Sequence, residues 1–273
     1  VACGHKRTFY IQGQPGIGKS SLHWMLKKHF GDEYDHIYLD WSLIDYGDVA
    51  MRAPDRDTKE LELYISSLLK RKSPKPKLIM IDELDKGDPM MQKLATRLML
   101  DRVMADWELP AGSRVFATGN LATDGVGKSI LAHTSNRITT LNLRNPTVAE
   151  WIAWATEEGI AAEIRTFVQL TPSCLDSYVD GIAFEDNPHI FFPNLRTKQF
   201  CSPRSLAGCS PIIEVRDVIG LSSTMASLAG TIGAASAELL KAVLLLRDEI
   251  VTTDEVLKDP MNVRMPEKQA AVL

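Results

Sequence analysis

Several features are scarce or missing in this 273-residue chain, and each absence removes a class of function. No apolar run reaches membrane-spanning length, and no stretch resembles a signal peptide. Cysteine is sparse: Cys3, Cys174, Cys201 and Cys209 show no C-x-x-C spacing and no zinc-type pattern. Reduced thiols in a cytoplasmic protein are the simplest account. The six histidines (His5, His23, His29, His36, His133, His189) form no H-E-x-x-H and no close ligand pair. A G-x-S-x-G nucleophile elbow is missing, as is a dinucleotide-type G-x-G-x-x-G followed by an acid. Neither sign of charge dominates: 31 basic against 35 acidic residues give a net charge of −4. That balance argues against a generic polyanion binder and leaves only a local basic patch open. There is no internal repeat and no low-complexity segment. The chain opens on Val1 and runs almost at once into a strand-like stretch, so we expect a fragment, or a true start further upstream.

What is present is Gly13-Gln14-Pro15-Gly16-Ile17-Gly18-Lys19-Ser20, which fits G-x-x-x-x-G-K-[ST]. A strand-like Arg7–Gln12 precedes it, and a helix-like Ser21–Phe30 follows, with Leu22, Met25, Leu26 and Phe30 at core-facing spacing. That is the context a phosphate-binding loop requires. The glycines let the backbone N–H groups converge on one phosphate, and the helix start adds partial positive charge. Lys19 would reach the β- and γ-phosphates, and Ser20 would ligate Mg²⁺. The second decisive stretch is Leu78-Ile79-Met80-Ile81-Asp82-Glu83. Its apolar run suits a strand buried on both faces of a parallel sheet, with two acids at the carboxyl end where such sheets place their ligands. Asp82 suits the metal beside Ser20, and Glu83 suits the base that activates a water.

The remaining pattern alternates strand and helix. His36–Asp40 reads as the second strand, and Trp41–Asp57 as irregular, with Gly47 and Pro54 as breakers. Thr58–Lys70 reads as a helix with Leu61, Tyr64, Ile65 and Leu68 on one face. The basic run Lys70–Lys77 reads as a solvated connection in preference to a nucleic-acid contact. Pro89–Trp107 reads as a long helix, Ser113–Thr118 as a strand ending in Gly119-Asn120, and Ile138–Leu143 as a fifth strand. Asn120 is either a turn residue or a group that reaches the attacking water. Gly125–Ser129 imitates a phosphate-loop tail but lacks its leading glycine, since Ala122 stands there. Five alternations predict a doubly wound parallel α/β sheet over residues 1–144. From residue 145 to 273 the composition becomes helical. Thr147 and Glu150 form a capping box there, and Trp151 and Trp154 are expected to pack against a neighbouring domain. Leu170–Phe200 is less regular, and Ile213–Leu221, Thr231–Arg247 and Thr253–Leu257 read as helices. Ser202-Pro203-Arg204 starts a helix with Arg204 opposing the dipole, which calls for a partner: a phosphate or a nearby acid.

With these motifs placed, nearly the whole chain resembles a AAA+ ATPase, and more narrowly the MoxR-like branch, several of whose members are bacterial or phage-encoded. Gly13–Ser20 resembles Walker A, and Leu78–Glu83 resembles Walker B. Asp45–Val49 with Pro54 resembles that branch's insert after the second strand. Leu100-Asp101-Arg102 through Leu109-Pro110, then Ala117–Asn120, is similar to its run into sensor 1. Ser135-Asn136-Arg137 resembles its arginine-finger position, Glu150-Trp151 the opening of its lid, and Ser202-Pro203-Arg204 its sensor 2. The resemblance implies a AAA+ P-loop NTPase fold: a parallel five-stranded sheet flanked by helices, plus a mainly helical lid domain. It implies ATP and Mg²⁺ as cofactors, with Gly13–Ser20, Ser21 and Arg204 holding nucleotide and Ser20 and Asp82 holding the metal. Lys19, Glu83, Asn120 and Arg137 would carry the catalysis. Arg137 would enter a neighbour's site, hence a homo-hexamer, and Arg204 would couple the lid to the γ-phosphate. Relatives remodel protein partners, often with a protein carrying a von Willebrand factor A-type domain. The alternatives are a nucleic-acid motor or replication loader on the same core, or a nucleotide-dependent scaffold with little turnover.

Overall fold

A computed structural model describes residues 8–124, 132–193 and 199–247. The chain divides into two compact units, Val1–Arg144 and Asn145–Leu273.

The first unit is built on strands β1 (Phe9–Gln12), β2 (Asp35–Asp40), β5 (Lys77–Asp82), β8 (Arg114–Gly119) and β9 (Thr139–Asn142). They form one sheet in the order β2-β5-β8-β1-β9, and every neighbouring pair is parallel. The apolar run of β5 divides by parity, because successive side chains point to opposite faces. Leu78 and Met80 pack with Phe116 against Leu22, Leu26 and Phe30 of helix α1 (Ser21–Phe30). Ile79 and Ile81 join Tyr10, Leu39 and Val115 against Met91, Ala95, Leu98 and Met99 of helix α3 (Pro89–Asp101). Both faces are therefore covered by helices, which is why β5 carries no polar residue between Lys77 and Asp82. Met25 of α1 is exposed, contrary to its expected core role.

Between β2 and β5 the chain differs from expectation. No helix spans 58–70. A one-turn helix α2 (Tyr46–Val49), capped reciprocally by Asp45 and Asp48, leads into an antiparallel hairpin of β3 (Ala50–Pro54) and β4 (Leu61–Ile65). The apolar residues of 61–65 satisfy a period of two as well as a helical one, and the pairing partner decides. Pro54 does not break the strand: it ends it, at a position that proline tolerates, opposite Leu61. Asp55 then organises the turn, accepting the N–H groups of Asp57 and Thr58. The helix expected to reach Trp107 stops at Asp101, where Arg102 turns left-handed (φ 61°) into a short hairpin of β6 (Val103–Met104) and β7 (Trp107–Glu108). A four-residue helix α4 (Ala132–Ser135) precedes β9. Gly125–Ser129 lies outside the described residues.

The second unit is helical: α5 (Val148–Glu157), α6 (Ala162–Leu170), α7 (Pro203–Gly208), α8 (Ser210–Glu214), α9 (Arg216–Ile232) and α10 (Ala234–Arg247). The Thr147–Glu150 capping box starts α5. Trp151 is buried among Ala155, Ile164 and Phe167 of this same unit, whereas Trp154 is 42% exposed. Helix α9 fills the interval between two expected helices, because Leu228 and Ile232 face the core across a kink at Gly220 (φ 77°). The helix expected at 253–257 lies outside the described residues. Among the described residues no helix is long and apolar enough to cross a membrane.

The basic run is partly structural. Lys77 is fully buried at the start of β5, its Nζ donating to Asp35 Oδ2 at 2.6 Å and to the Ser73 carbonyl at 2.8 Å. Burial works to raise the Asp35 pKa, but the Lys77 and Ser73 contacts outweigh it and hold it below the usual carboxylate range. A depressed carboxylate pKa contributes stability above its unfolded value, lost as pH falls through the folded one. Asp35→Asn should therefore cost roughly 2 kcal/mol, less than the ~3–5 kcal/mol for breaking a fully buried pair, because Asp35 is only half-buried. It should also flatten the acid limb of stability. Denaturant titrations from neutral pH downward measure both.

Candidate functional site

The sheet order creates a special position. The chain leaves β1 for the far edge, returns through β5 and β8, and must pass β1 to place β9. The carboxyl ends of strands at such a switch are where α/β sheets bind ligands. Gly13–Ser20 stands there, directly after β1. Gly16 (φ 79°) and Gly18 (φ 100°) adopt backbone that other residues rarely reach, and a Cβ on Gly18 would project into open space. Gly13 is tight instead: its Cβ would lie 3.1 Å from the Leu143 carbonyl oxygen. The loop runs straight into α1, with Ser21 N–H donating to Gly18 O.

Lys19 is buried and folds back on the loop. Its Nζ donates to Gly13 O at 2.7 Å, Gln14 O at 2.9 Å and Asn120 Oδ1 at 3.1 Å. Asn120 thereby joins the loop from the end of β8. Pro15 and Ile17 are half-buried within it.

Asp82, at the end of β5, is the centre of a hydroxyl cluster. Its Oδ2 accepts from Ser20 Oγ at 2.6 Å and from Tyr38 OH at 2.6 Å. Its Oδ1 accepts from Thr118 Oγ1 and from the Glu83 N–H. Burial works to raise the Asp82 pKa, but the bonds from Ser20, Thr118, Tyr38 and Glu83 outweigh it and lower it. Burial, followed by the Asp82 bond, pushes the Tyr38 phenol up. A hydroxyl and an ionised carboxylate in direct contact beside a glycine loop are the hard oxygen donors that Mg²⁺ takes. The residues present therefore fit that ion, and the open, lysine-bearing loop fits a phosphate chain.

Glu83 holds a left-handed backbone (φ 54°, ψ 41°), a conformation that costs about 1–3 kcal/mol and concentrates at functional sites. Its carboxylate pairs with Lys86 at 2.9 Å. Asp85 is buried, and burial raises its pKa, with hydrogen bonds from the backbone and from Asn120 opposing and the charge of Glu83 adding.

The structure brings Gly13–Ser20, Asp82, Glu83 and Asn120 to one edge of the sheet. It does not bring Arg137 there. Arg137 precedes β9, whose Thr139 pairs with Phe9, so it stands at the opposite edge. The three residue steps of β1 from Phe9 to Gln12 alone put roughly 10 Å between the two ends of the strands. Arg204 lies in the second unit, exposed in the first turn of α7 after the Ser202 cap and Pro203. Its side chain makes no ion pair or hydrogen bond among the described residues, so of the two alternatives, phosphate or acid, no acid is found there.

Sequence reasoning missed Tyr38, Thr118, Asp85 and Tyr10. Thr118 and Asp85 stand within three residues of Asn120 or Asp82, so proximity was an available signal. Tyr38 had none, since an aromatic in an alternating strand reads as packing. Gly119 has a spatial role: an added Cβ would overlap the Tyr10 hydroxyl and the Asp85 carboxylate. Gly119→Ala is expected to destabilise the first unit by about 1–3 kcal/mol, as overpacking does. Tyr10→Phe in that background should recover part of the loss, measured by denaturant titration.

No protein-family model matches the chain, and no curated protein sequence matches it.

Proposed function

We propose that this chain is a MoxR-like AAA+ ATPase that hydrolyses Mg-ATP in an oligomeric ring to remodel a protein partner. The observation that carries the proposal is the convergence of Lys19, Ser20, Asp82, Glu83 and Asn120 at the end of one parallel sheet. Three separate stretches of sequence supply those groups, and nucleotide hydrolysis has a use for each.

Gly13–Ser20 offers its backbone N–H groups to the phosphates, and Lys19 exchanges its carbonyl partners for phosphate oxygens. Ser20 and Asp82 would hold Mg²⁺, which supplies charge neutralisation on the phosphate oxygens. Glu83 takes the proton of the attacking water, and to do so its carboxylate must turn away from Lys86. Asn120, released by Lys19, orients that water. The helical second unit corresponds to the lid, with Arg204 as its sensor.

Arg137 supports the ring. An exposed arginine at the far edge of its own sheet does not serve its own loop. In a homo-oligomer it would complete the site of the next copy, which a hexameric ring provides. A von Willebrand A-type partner and a cytoplasmic location belong to the same reading. Cys174, Cys201 and Cys209 support the location as free buried thiols, with burial raising Cys201 to about 11 and Cys209 to about 12. The nucleic-acid alternative gains no support from the basic run. Lys77 is sequestered with Asp35, and Lys70 and Lys75 donate to the carbonyls of His36 and Asp32.

Lys19→Ala is expected to abolish binding of a fluorescent ATP analogue. Glu83→Gln should bind it normally while phosphate release falls by roughly 100-fold or more. Unchanged turnover in Glu83→Gln would remove that residue as the base.

Arg137→Ala should retain nucleotide binding and lose on the order of 1,000-fold in turnover. Mixing it with Glu83→Gln should restore part of the activity, because a mixed interface in one of its two orientations pairs an intact base with an intact arginine. A mixture no more active than its components would exclude completion in trans.

A further inference from the structure

The Asp82 carboxylate is saturated with donors. An ionised carboxyl has about four lone-pair positions, two on each oxygen. At Asp82, Oδ1 accepts from Thr118 Oγ1 and from the Glu83 N–H. Oδ2 accepts from Ser20 Oγ and from Tyr38 OH, each at 2.6 Å. For Asp82 to take a metal, one of the four must leave. The Glu83 donor is backbone, and Thr118 is fully buried in β8. Ser20 is the donor that leaves, because its own oxygen is wanted at the same ion. Tyr38 is then the one donor left on Oδ2.

Tyr38 is placed to stay. It is the register partner of Met80, two residues short of Asp82 on the neighbouring strand. Its hydroxyl therefore has roughly 7 Å to cover along the strands. The short hydroxyl of a serine or threonine would not cover that distance. His23 of α1, itself buried, packs its ring edge-on against the phenol, with centroids 5.4 Å apart. Packing alone does not account for the residue. Tyr38 stands on the edge strand, is 40% exposed, and joins none of the clusters of buried apolar side chains.

We propose that Tyr38 is a positioning residue for the metal ligand Asp82. When Ser20 turns away, the phenol keeps one lone pair of Oδ2 occupied. The single vacancy then faces Ser20 and the glycine loop. Without the phenol, Oδ2 has two vacancies and the carboxylate is free to tilt. This rests on the ATPase reading above. Tyr38 acts through Asp82 and is not itself placed at the ion. Hydrogen-bond partners that orient a ligating carboxylate typically contribute 10- to 100-fold to metal affinity or activity.

The test uses the full chain as wild type, Tyr38→Phe and Asp35→Asn. Affinity for the fluorescent ATP analogue is measured in excess Mg²⁺ and again in EDTA. Tyr38→Phe keeps the ring and loses only the hydroxyl. Its affinity should fall by roughly 10- to 100-fold in Mg²⁺. In EDTA it should stay within about twofold of wild type, since the hydroxyl matters only when Asp82 has an ion to hold. Asp35→Asn loosens the other end of the same strand pair and should leave the ratio of the two affinities unchanged. With Mn²⁺ in place of Mg²⁺, electron paramagnetic resonance reads the bound ion directly, and its affinity should fall by the same factor in Tyr38→Phe. Should Tyr38→Phe fail to fold, Tyr38→Met removes the hydroxyl with a more adaptable side chain. Equal losses in Mg²⁺ and in EDTA, as a merely structural tyrosine would give, would overturn the proposal. A metal-dependent wild type with an unmoved Tyr38→Phe removes the proposal alone. A wild type whose affinity ignores the metal takes down the ATPase reading, and the proposal with it.

Discussion

The first unit depends on how the Asp82 carboxylate is satisfied. It is an ionised group almost fully removed from water, and an uncompensated charge there would cost several kcal/mol. Its donors come from separate elements: Ser20 before α1, Tyr38 from β2, Thr118 from β8 and the Glu83 N–H from the following residue. They meet only if β2, β5 and β8 lie side by side in this register, with Asp40 opposite Asp82 and Ala117 opposite Ile81. A slip of one residue turns every side chain to the other face. Sheet register and site geometry are therefore one constraint, met by the same hydrogen bonds. The donors of Asp82 are placed by the same strand register that builds the sheet.

How much of this was readable in advance follows from the range over which each signal acts. The glycine loop, α1 and the buried run of β5 are local patterns, and the five-stranded parallel sheet follows from their alternation. The caps at Thr147 and Ser202 are equally local. The hairpin of β3 and β4 was not readable, because Leu61, Tyr64, Ile65 and Leu68 fit a helical period and only the pairing of Met51 with Tyr64 decides otherwise. The early end of α3 was missed because Arg102 offers no composition signal for a left-handed turn. At the site, the acids at the end of β5 were legible from their place after an apolar run. Tyr38 was not, since nothing in Asp35–Asp40 tells a tyrosine that packs from one that donates to a carboxylate on the next strand. Asp85 lay in plain view three residues from Asp82. Its burial depends on Gly119 leaving room, a fact about two distant segments that only coordinates supply.

The basic run shows the opposite error of emphasis. Five cations among eight residues invite a reading as a contact surface, and solvated connection was the alternative. Neither describes Lys77, whose ammonium is sealed at the foot of β5 by Asp35. The pair joins the first residues of two neighbouring strands, Asp35 and Lys77, which are register partners. Like Asp82 at the other end of those strands, it fixes their alignment through a buried charge. The two ends of the β2–β5 pair are thus pinned by electrostatics and its middle by Ile37, Leu39, Ile79 and Ile81.

The position of β1 has a consequence for how the protein is made. This four-residue strand comes first of the five in chain order, yet its neighbours are β8 and β9. Thr8 hydrogen-bonds to the carbonyl of Val115, 107 positions later. Contacts of that span are slow to form, because the loop entropy is lost before they are gained. The glycine loop hangs from β1 and cannot be set until residues beyond 139 have emerged to flank it. A ribosome-bound chain that stops short of β9 carries the glycine loop without the strand that flanks it, so the loop is set late, with the last strand of the sheet.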